Sequence, residues 1–329
     1  MRTVFINVAI LFSALIVAIP ADTQVQNPRA AHPGSINYVE GQASIGSTAL
    51  SPDSAGSAEL EKGQSLTTQS GKVEILLTPG VFLRVAENST VKMISPELTN
   101  TEVELDKGRA MIEALEVRKE NDIRVDQNDA YTRLLKNGLY DFDADNAVMR
   151  VFKGGAEVGV NDQKVKVSGE HELSLNAPGK PKSRNFDTRR YEDDFFRWSA
   201  LRSGYLSEAS VDEARIYIGT GPGWYGPGWF GTGWYWDPWF GVWTFIPAES
   251  MFYSPFGWGF YSPIFVYRSP FFYWGYWGHQ IHHFGDFHEP YGHGVEPPGG
   301  FRGGGFHGGT PVPRSGAPRG GAPRGGSHR

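Results

Sequence analysis

Residues 73–94 read V-E-I-L-L-T-P-G-V-F-L-R-V-A-E-N-S-T-V-K-M-I. Apolar side chains recur at Val73, Ile75 and Leu77, then at Val81, Leu83 and Val85, then at Val91 and Met93. That is a period of two, broken by Thr78-Pro79-Gly80 and by Glu87-Asn88-Ser89-Thr90, both rich in turn formers. Successive side chains of a strand point to opposite faces. The spacing therefore predicts three short antiparallel strands, each burying one face and wetting the other.

The same rhythm extends from His32 to Ala177. Val103 and Leu105 lead into Asp106-Lys107-Gly108, and Ala110, Ile112 and Ala114 follow. Ala147, Met149 and Val151 precede Lys153-Gly154-Gly155, with Ala156, Val158 and Val160 beyond. Val165 and Val167 precede Ser168-Gly169, with Leu173 and Leu175 beyond. Strands this short and this evenly spaced predict a mainly β module over residues 32–177, an antiparallel sandwich, barrel or solenoid-like winding. An internal echo supports a solenoid-like or twofold plan: Tyr38-Val39-Glu40-Gly41-Gln42-Ala43-Ser44-Ile45 parallels Val151-Phe152-Lys153-Gly154-Gly155-Ala156-Glu157-Val158. No fixed period accompanies it, so this is not a true repeat protein.

The stretch also resembles the core of FecR-type domains, envelope modules of signalling regulators. The resemblance rests on the apolar strand at Leu76-Leu77, the turn glycine Gly80, the arginine-bearing strand Leu83-Arg84-Val85, and Asn88-Ser89. It extends over residues 33–176 and implies structural roles for Gly80, Arg84, Asn88 and Ser89. Signalling members hold a sigma factor with a cytoplasmic N-terminal segment. This chain opens directly on an export signal, so no direct sigma-factor binding is expected.

That signal is read from Arg2, the apolar run Val4 to Ile19, and Ala21, giving a signal peptide over residues 1–21. An uncleaved anchor stays open, because Ile19-Pro20-Ala21 is an imperfect cleavage site. The chain has no cysteine, which excludes lipoprotein acylation, disulfides and thiolate metal sites. The expected location is the periplasm or the cell surface. The net charge of −5 is uneven: residues 297–329 hold Arg302, Arg314, Arg319, Arg324 and Arg329 and no acid, leaving the remainder at −10.

Between residues 187 and 218 the pattern becomes helical. Phe195, Trp198, Leu201 and Tyr205-Leu206 form one stripe with Arg197 and Arg202 off it, and Glu192-Asp193-Asp194 suit a helix N-terminus. An amphipathic helical linker docked on the β domain is expected. Residues 219–295 are Gly/Pro/aromatic-rich and open with a five-residue repeat at Gly221, Gly226 and Gly231. They hold nine of the ten tryptophans and no leucine. Short turns and hairpins are expected there, either as a compact aromatic subdomain or as an interaction surface built on Trp224, Trp229, Trp234, Trp236, Trp239 and Trp243. The Gly/Pro/Arg tail, 296–329, is expected to be disordered.

Motifs that would carry chemistry fare poorly. The G-x-G-x-x-G match at Gly221 lacks the strand before it and the helix after it. Asp141-Phe142-Asp143-Ala144-Asp145-Asn146 lacks the glycine and glutamate of a calcium loop, and is read as acids on the wet face of a strand. His279, His282 and His283 are weak metal candidates in a histidine-rich tract. The Arg-Gly-Gly tail resembles nucleic-acid-binding segments, but export removes intracellular nucleic acid as a partner. No hydrolase, zinc or phosphate-loop motif occurs. The expectation is a non-enzymatic exported envelope protein without cofactor, its FecR-like module sensing or binding an unknown envelope protein or surface polymer. The alternative is a structural or adhesive surface protein whose aromatic segment grips envelope, glycan or membrane interface. A third reading, a hydrolase, would need a pocket lined by acids such as Asp141, Asp143 or Glu172.

Overall fold

Seventeen strands of the computed structural model, which describes residues 30–219, 225–226 and 228–268, build two stacked sheets. In chain order they are β1 (Ile36–Glu40), β2 (Ala43–Ile45), β3 (Thr48–Leu50), β4 (Ser65–Thr68), β5 (Lys72–Thr78) and β6 (Val81–Val85). There follow β7 (Thr90–Glu97), β8 (Asn100–Lys107), β9 (Arg109–Ala114), β10 (Asp122–Gln127), β11 (Ala130–Leu134) and β12 (Gly138–Asp143). The last are β13 (Val148–Lys153), β14 (Gly155–Val160), β15 (Gln163–Ser168), β16 (His171–Ser174) and β17 (Arg184–Asn185). One sheet, here the covered sheet, has the order β1-β5-β6-β9-β12-β13-β16-β17. The other, the open sheet, has the order β15-β14-β11-β10-β8-β7-β4-β2-β3.

Hairpins alternate between the sheets, and both sheets grow in the same direction along the chain. This is a sandwich wound like a solenoid. All large-sheet pairings are antiparallel except β8 with β10, which run parallel because only the single strand β9 separates them. The three strands of residues 73–94 are therefore not one meander. β5 and β6 pair in the covered sheet, but β7 crosses to the open sheet and pairs with β4 and β8.

The crossing is made at Asn88 (φ 54°) and the buried Ser89. Ser89 receives the Arg109 amide on Oγ at 2.9 Å and gives its own amide to Thr68 Oγ1 at 3.0 Å. The neighbouring corner must be glycine: Gly108 has φ 77°, and a Cβ there would lie 2.3 Å from Ser89 Oγ. The internal echo has a like origin. Gly41 and Gly154 sit at corners where the chain passes from the covered sheet to the open one.

Between the sheets lies the main core. Val73, Ile75, Val81, Leu83, Ile112, Tyr140 and Met149 from one side meet Leu66, Val91, Met93, Val103, Ile123, Val125 and Val158 from the other. On the open sheet the expected alternation holds, with β10 alternating between half-buried and buried residues. On the covered sheet the expectation of one wet face fails: β6 is buried at every position and β5 at all but Lys72. The reason is a third layer. It consists of α1 (Asp194–Ile216), the hairpin β18 (Gly233–Asp237) with β19 (Val242–Ile246), the hairpin β20 (Met251–Tyr253) with β21 (Gly259–Tyr261), and α2 (Pro263–Arg268). Leu76, Phe82 and Leu115 of the β module pack there against Leu206, Ala209, Trp234, Phe245 and Phe260.

Asp193 caps α1, its carboxylate accepting the Phe196 amide at 3.0 Å. The buried face of α1 keeps Phe195 and Leu206 of the expected stripe, with Trp198 half-buried, but departs from it elsewhere. Leu201 and Tyr205 are exposed, whereas Ser199, Arg202, Ser203, Gly204 and Ser207 are buried with Leu206. The helix lies on a sheet face that carries charge, so small and polar residues point inward. The backbone approaches closely enough that Gly204 lies against the Trp258 ring.

Candidate functional site

One row of cross-strand partners traverses the covered sheet on the face turned to α1. Tyr38 faces Glu74, Glu74 faces Arg84, Arg84 faces Met111, and Met111 faces Asp141. Asp141 then faces Arg150, Arg150 faces Glu172, and Glu172 faces Arg184. The row alternates in sign, and directly opposed side chains lie within reach of each other. Arg84 Nε donates to Glu74 Oε2 at 2.9 Å, and Arg84 Nη2 pairs with Glu113 Oε2 at 2.7 Å. Arg150 bridges Asp141 (2.9 Å) and Glu172 (3.1 Å), and Arg184 Nε closes the row on Glu172 at 2.8 Å. Glu74, Arg84, Glu113 and Asp141 are fully buried.

The third layer completes this network. Arg202 Nη2 reaches Glu74 Oε1 at 3.0 Å, and Asn37 Nδ2 reaches the same oxygen at 3.0 Å. Ser203 Oγ donates to Glu113 Oε1 at 2.6 Å, and Ser254 donates to that oxygen too. Arg109 binds Asp141 at 2.6 Å and also the cap residue Asp193. Rings lie over the guanidiniums: Tyr191 on Arg150 at 4.0 Å, Tyr38 on Arg202 at 3.9 Å and Phe195 on Arg109 at 5.5 Å.

Burial by itself would raise the Glu74 carboxyl, but the Arg202 and Arg84 guanidiniums outweigh it and hold it below its usual range. Burial would lower Arg84, and Glu113 and Glu74 reverse that; Arg109 and Arg150 are likewise raised against burial, with Asp141 their strongest partner. Removing so many charges from water costs several kcal/mol per ion. Each ion here has an opposite charge within reach, while Arg84 Nη1, Arg109 Nη2 and Arg202 Nε are buried without a hydrogen-bond partner among the described residues. Chemically the row holds layers together. Its carboxylates are occupied by guanidinium, hydroxyl and amide donors.

The acids read as lying on a wet strand face are partly misplaced by that reading. Asp141 is fully buried in the ion network, Asp143 is half-buried, and only Asp145 is exposed, in the turn, where it accepts the Gly108 amide at 3.0 Å. Asp141 and Glu172 are both buried and held by Arg150. An open groove of about 430 Å³ on the other sheet is lined by Glu104, Asp106, Arg124, Asp126 and Tyr131, and Asp126 holds Arg124 there by two bonds of 2.7 and 3.0 Å. Among the described residues no group of His, Asp and Glu is placed to hold a metal ion, and no helix is long and apolar enough to cross a membrane.

Of the residues singled out in the sequence, Gly80 (φ 80°) turns β5 into β6 directly under Phe245, Arg84 sits at the centre of the ion network, and Asn88-Ser89 makes the inter-sheet corner. Trp234 is buried at 7% exposure. Trp229, Trp236 and Trp243 are half-buried, and Trp239 projects from the β18–β19 turn at 88% exposure. Trp224, the histidines 279, 282 and 283, the signal segment and the tail lie outside the described residues. Sequence reasoning missed Glu74, Glu113 and Arg202. The available signal was a charge set among apolar neighbours on both sides, as in Val73-Glu74-Ile75 and Leu83-Arg84-Val85.

Comparison with known proteins agrees with the motif reading. The FecR protein family matches residues 64–166. Two crystal structures of a protein from Parabacteroides distasonis, provisionally described as an anti-sigma factor, are similar over 41% of this chain. They have 15% and 16% identity and TM-scores of 0.35 and 0.34. The similarity spans 64% and 62% of those chains, less than two thirds of their length. No curated protein matches the chain. Residues 64–166, which carry Gly80, Arg84, Asn88 and Ser89 and most of the buried charged row, are a FecR domain.

Proposed function

We propose that this chain is a non-enzymatic, exported envelope protein whose FecR domain serves as a sensing or protein-interaction module in the periplasm or at the cell surface. The observation that carries this reading is the FecR match over residues 64–166. The N-terminal pattern of Arg2, the apolar run to Ile19 and Ala21 supports export. The division into signal segment 1–21, β domain 32–177, helical segment 187–218, aromatic region 219–295 and tail 296–329 belongs to the same reading. Gly80, Arg84, Asn88 and Ser89 then act by shaping the module rather than by touching a partner. In cells producing the full chain with a C-terminal tag, protease should reach the tag once the outer envelope is opened. Photocrosslinking from the exposed Arg133 position should yield a discrete protein adduct. A tag protected in the cytosol, or no adduct from any exposed position of the domain, overturns the reading.

A second reading has one observation in its favour. Trp239 stands almost fully exposed on a turn fixed by Asp237, whose carboxylate accepts the Trp239 and Phe240 amides at 2.7 and 3.0 Å. A rigid, exposed indole suits adhesion to a glycan or a membrane interface. Loss of cell-surface retention on Trp239→Ala, with folding intact, would favour it.

A further inference from the structure

Strand β15 ends the open sheet. It pairs with β14 on one side only, from Gly155↔Ser168 to Val160↔Gln163, and that register runs without a shift. Among the described residues, no backbone hydrogen bond reaches its other side. The remaining edges of the two large sheets are short or occupied. β3 has three residues and β17 two, while β1 exchanges bonds with the following loop through Ile36 N to Ala58 O and Gly56 N to Ile36 O. β15 offers six residues with no proline and no bulge. Such an edge is a row of unpaired N–H and C=O groups.

The side chains specify what could add there. Val167 is buried and Val165 half-buried on the core side, so an added strand must bring apolar residues to that face. Lys164 and Lys166 are exposed on the outer face. A second copy of β15 laid antiparallel would set lysine against lysine, which is destabilising. Across the sheet, Arg133 faces Glu157 and Glu157 faces Lys166, a row of alternating sign that an acid on the next strand would continue. Lys164 Nζ already pairs with Glu157 at 2.9 Å from one side and keeps its other side open, with 67% of the side chain exposed.

We infer that β15 is a docking edge for an extended segment of another protein that alternates acidic and apolar residues and joins the open sheet as a further antiparallel strand. The inference rests on the protein-interaction reading given above and names the chemistry of the partner. Main-chain hydrogen bonds supply the attachment, and the alternate side chains supply selectivity.

The test uses the full chain and a fluorescein-labelled peptide, Thr-Glu-Val-Glu-Val-Glu-Val-Thr. Two controls accompany it: a peptide with the same charges but proline at the valine positions, and one with lysine for glutamate. Anisotropy titrations should show the acidic peptide binding about tenfold more tightly than either control. Amide exchange should slow within residues 163–168. Lys164→Glu with Lys166→Glu, both on exposed side chains, should transfer the preference to the lysine peptide while leaving the far-ultraviolet circular dichroism unchanged. Equal binding of the proline peptide, no binding at all, or protection located elsewhere overturns the inference. If the peptide fails while crosslinking from position 133 still yields a protein adduct, the docking edge alone is wrong. If both fail, the interaction reading falls with it.

Discussion

Arg202 Nη2 on α1 meets Glu74 Oε1 on β5 at 3.0 Å, joining residues 128 positions apart in the chain. Both side chains are almost wholly buried, so the bond fastens the third layer to the covered sheet where water does not compete. Removing one partner strands the other. Arg202→Met is expected to cost about 3–5 kcal/mol, and Glu74→Gln a comparable amount because Arg84 also loses a counter-charge. The double substitution should cost clearly less than the two single losses together. Urea unfolding of the four proteins provides the cycle. A coupling below about 0.5 kcal/mol would show that the two residues do not act as a pair.

The same pair sets a dependence on acid. Glu74 is held below its ordinary value of 4.5, so the folded protein keeps its charge where the unfolded chain would bind a proton. Its contribution is complete above that value and is lost as pH falls below it. Glu213, farther along α1, has the opposite sign. Burial, then Asp237 and Asp212, push its carboxyl up to about 7. The folded state retains a proton that the unfolded chain has released, so stability falls as pH rises from about 4.5 to about 7, and the full cost persists above. Glu213→Gln should therefore raise the Tm at pH 8, by about 2–4 °C for each kcal/mol recovered, and leave it unchanged at pH 4. An equal Tm shift at both values would refute the assignment.

The Gly80 turn joins the sheet to the aromatic layer. With φ 80° it occupies the left-handed region, and an added Cβ would lie 3.2 Å from the Phe245 ring. Gly80→Ala should cost about 1–2 kcal/mol for the backbone alone, and more if Phe245 must move. Gly46→Ala is the matched control, since its φ is also positive at 55° but nothing lies within 4 Å. Similar thermal unfolding losses in the two variants would mean that the Phe245 contact is immaterial.

Much of the architecture was legible because alternation survives wherever a strand packs. Val73, Ile75, Val81, Leu83, Val91 and Met93 all enter the core between the sheets. What alternation could not convey was which sheet each strand joins, because a corner at Asn88-Ser89 and a hairpin turn use the same residue types. The helix face was misread at Leu201, Arg202 and Tyr205 for a different reason. A stripe of large apolar residues normally marks a buried face, but α1 packs partly on glutamates and an arginine, and beside Phe195, Leu206 and Ala209 its inward face carries Ser199, Arg202, Ser203 and Ser207. The contrast can be measured. Leu201→Ser, at 50% exposure, should change stability by less than about 0.5 kcal/mol. Leu206→Ala, at 0%, should cost about 2–5 kcal/mol. Comparable losses would place Leu201 in the packing face beside Leu206.

The aromatic layer separates its tryptophans by position on one hairpin. Trp234 faces Phe245 across β18 and β19 and packs with Leu206 and Phe260, whereas Trp239 lies in the turn between the strands and touches solvent over 88% of its surface. Folding energy should therefore reside in the first and surface recognition in the second. Trp234→Ala is expected to cost about 3–5 kcal/mol, as for other buried aromatic truncations. Trp239→Ala should leave urea unfolding within about 0.5 kcal/mol of the parent. It should also remove a fluorescence component readily quenched by iodide, because an exposed indole meets the quencher and a buried one does not. If the accessible component survives Trp239→Ala unchanged, the tip of the β18–β19 turn is covered in solution and cannot serve as the adhesive surface.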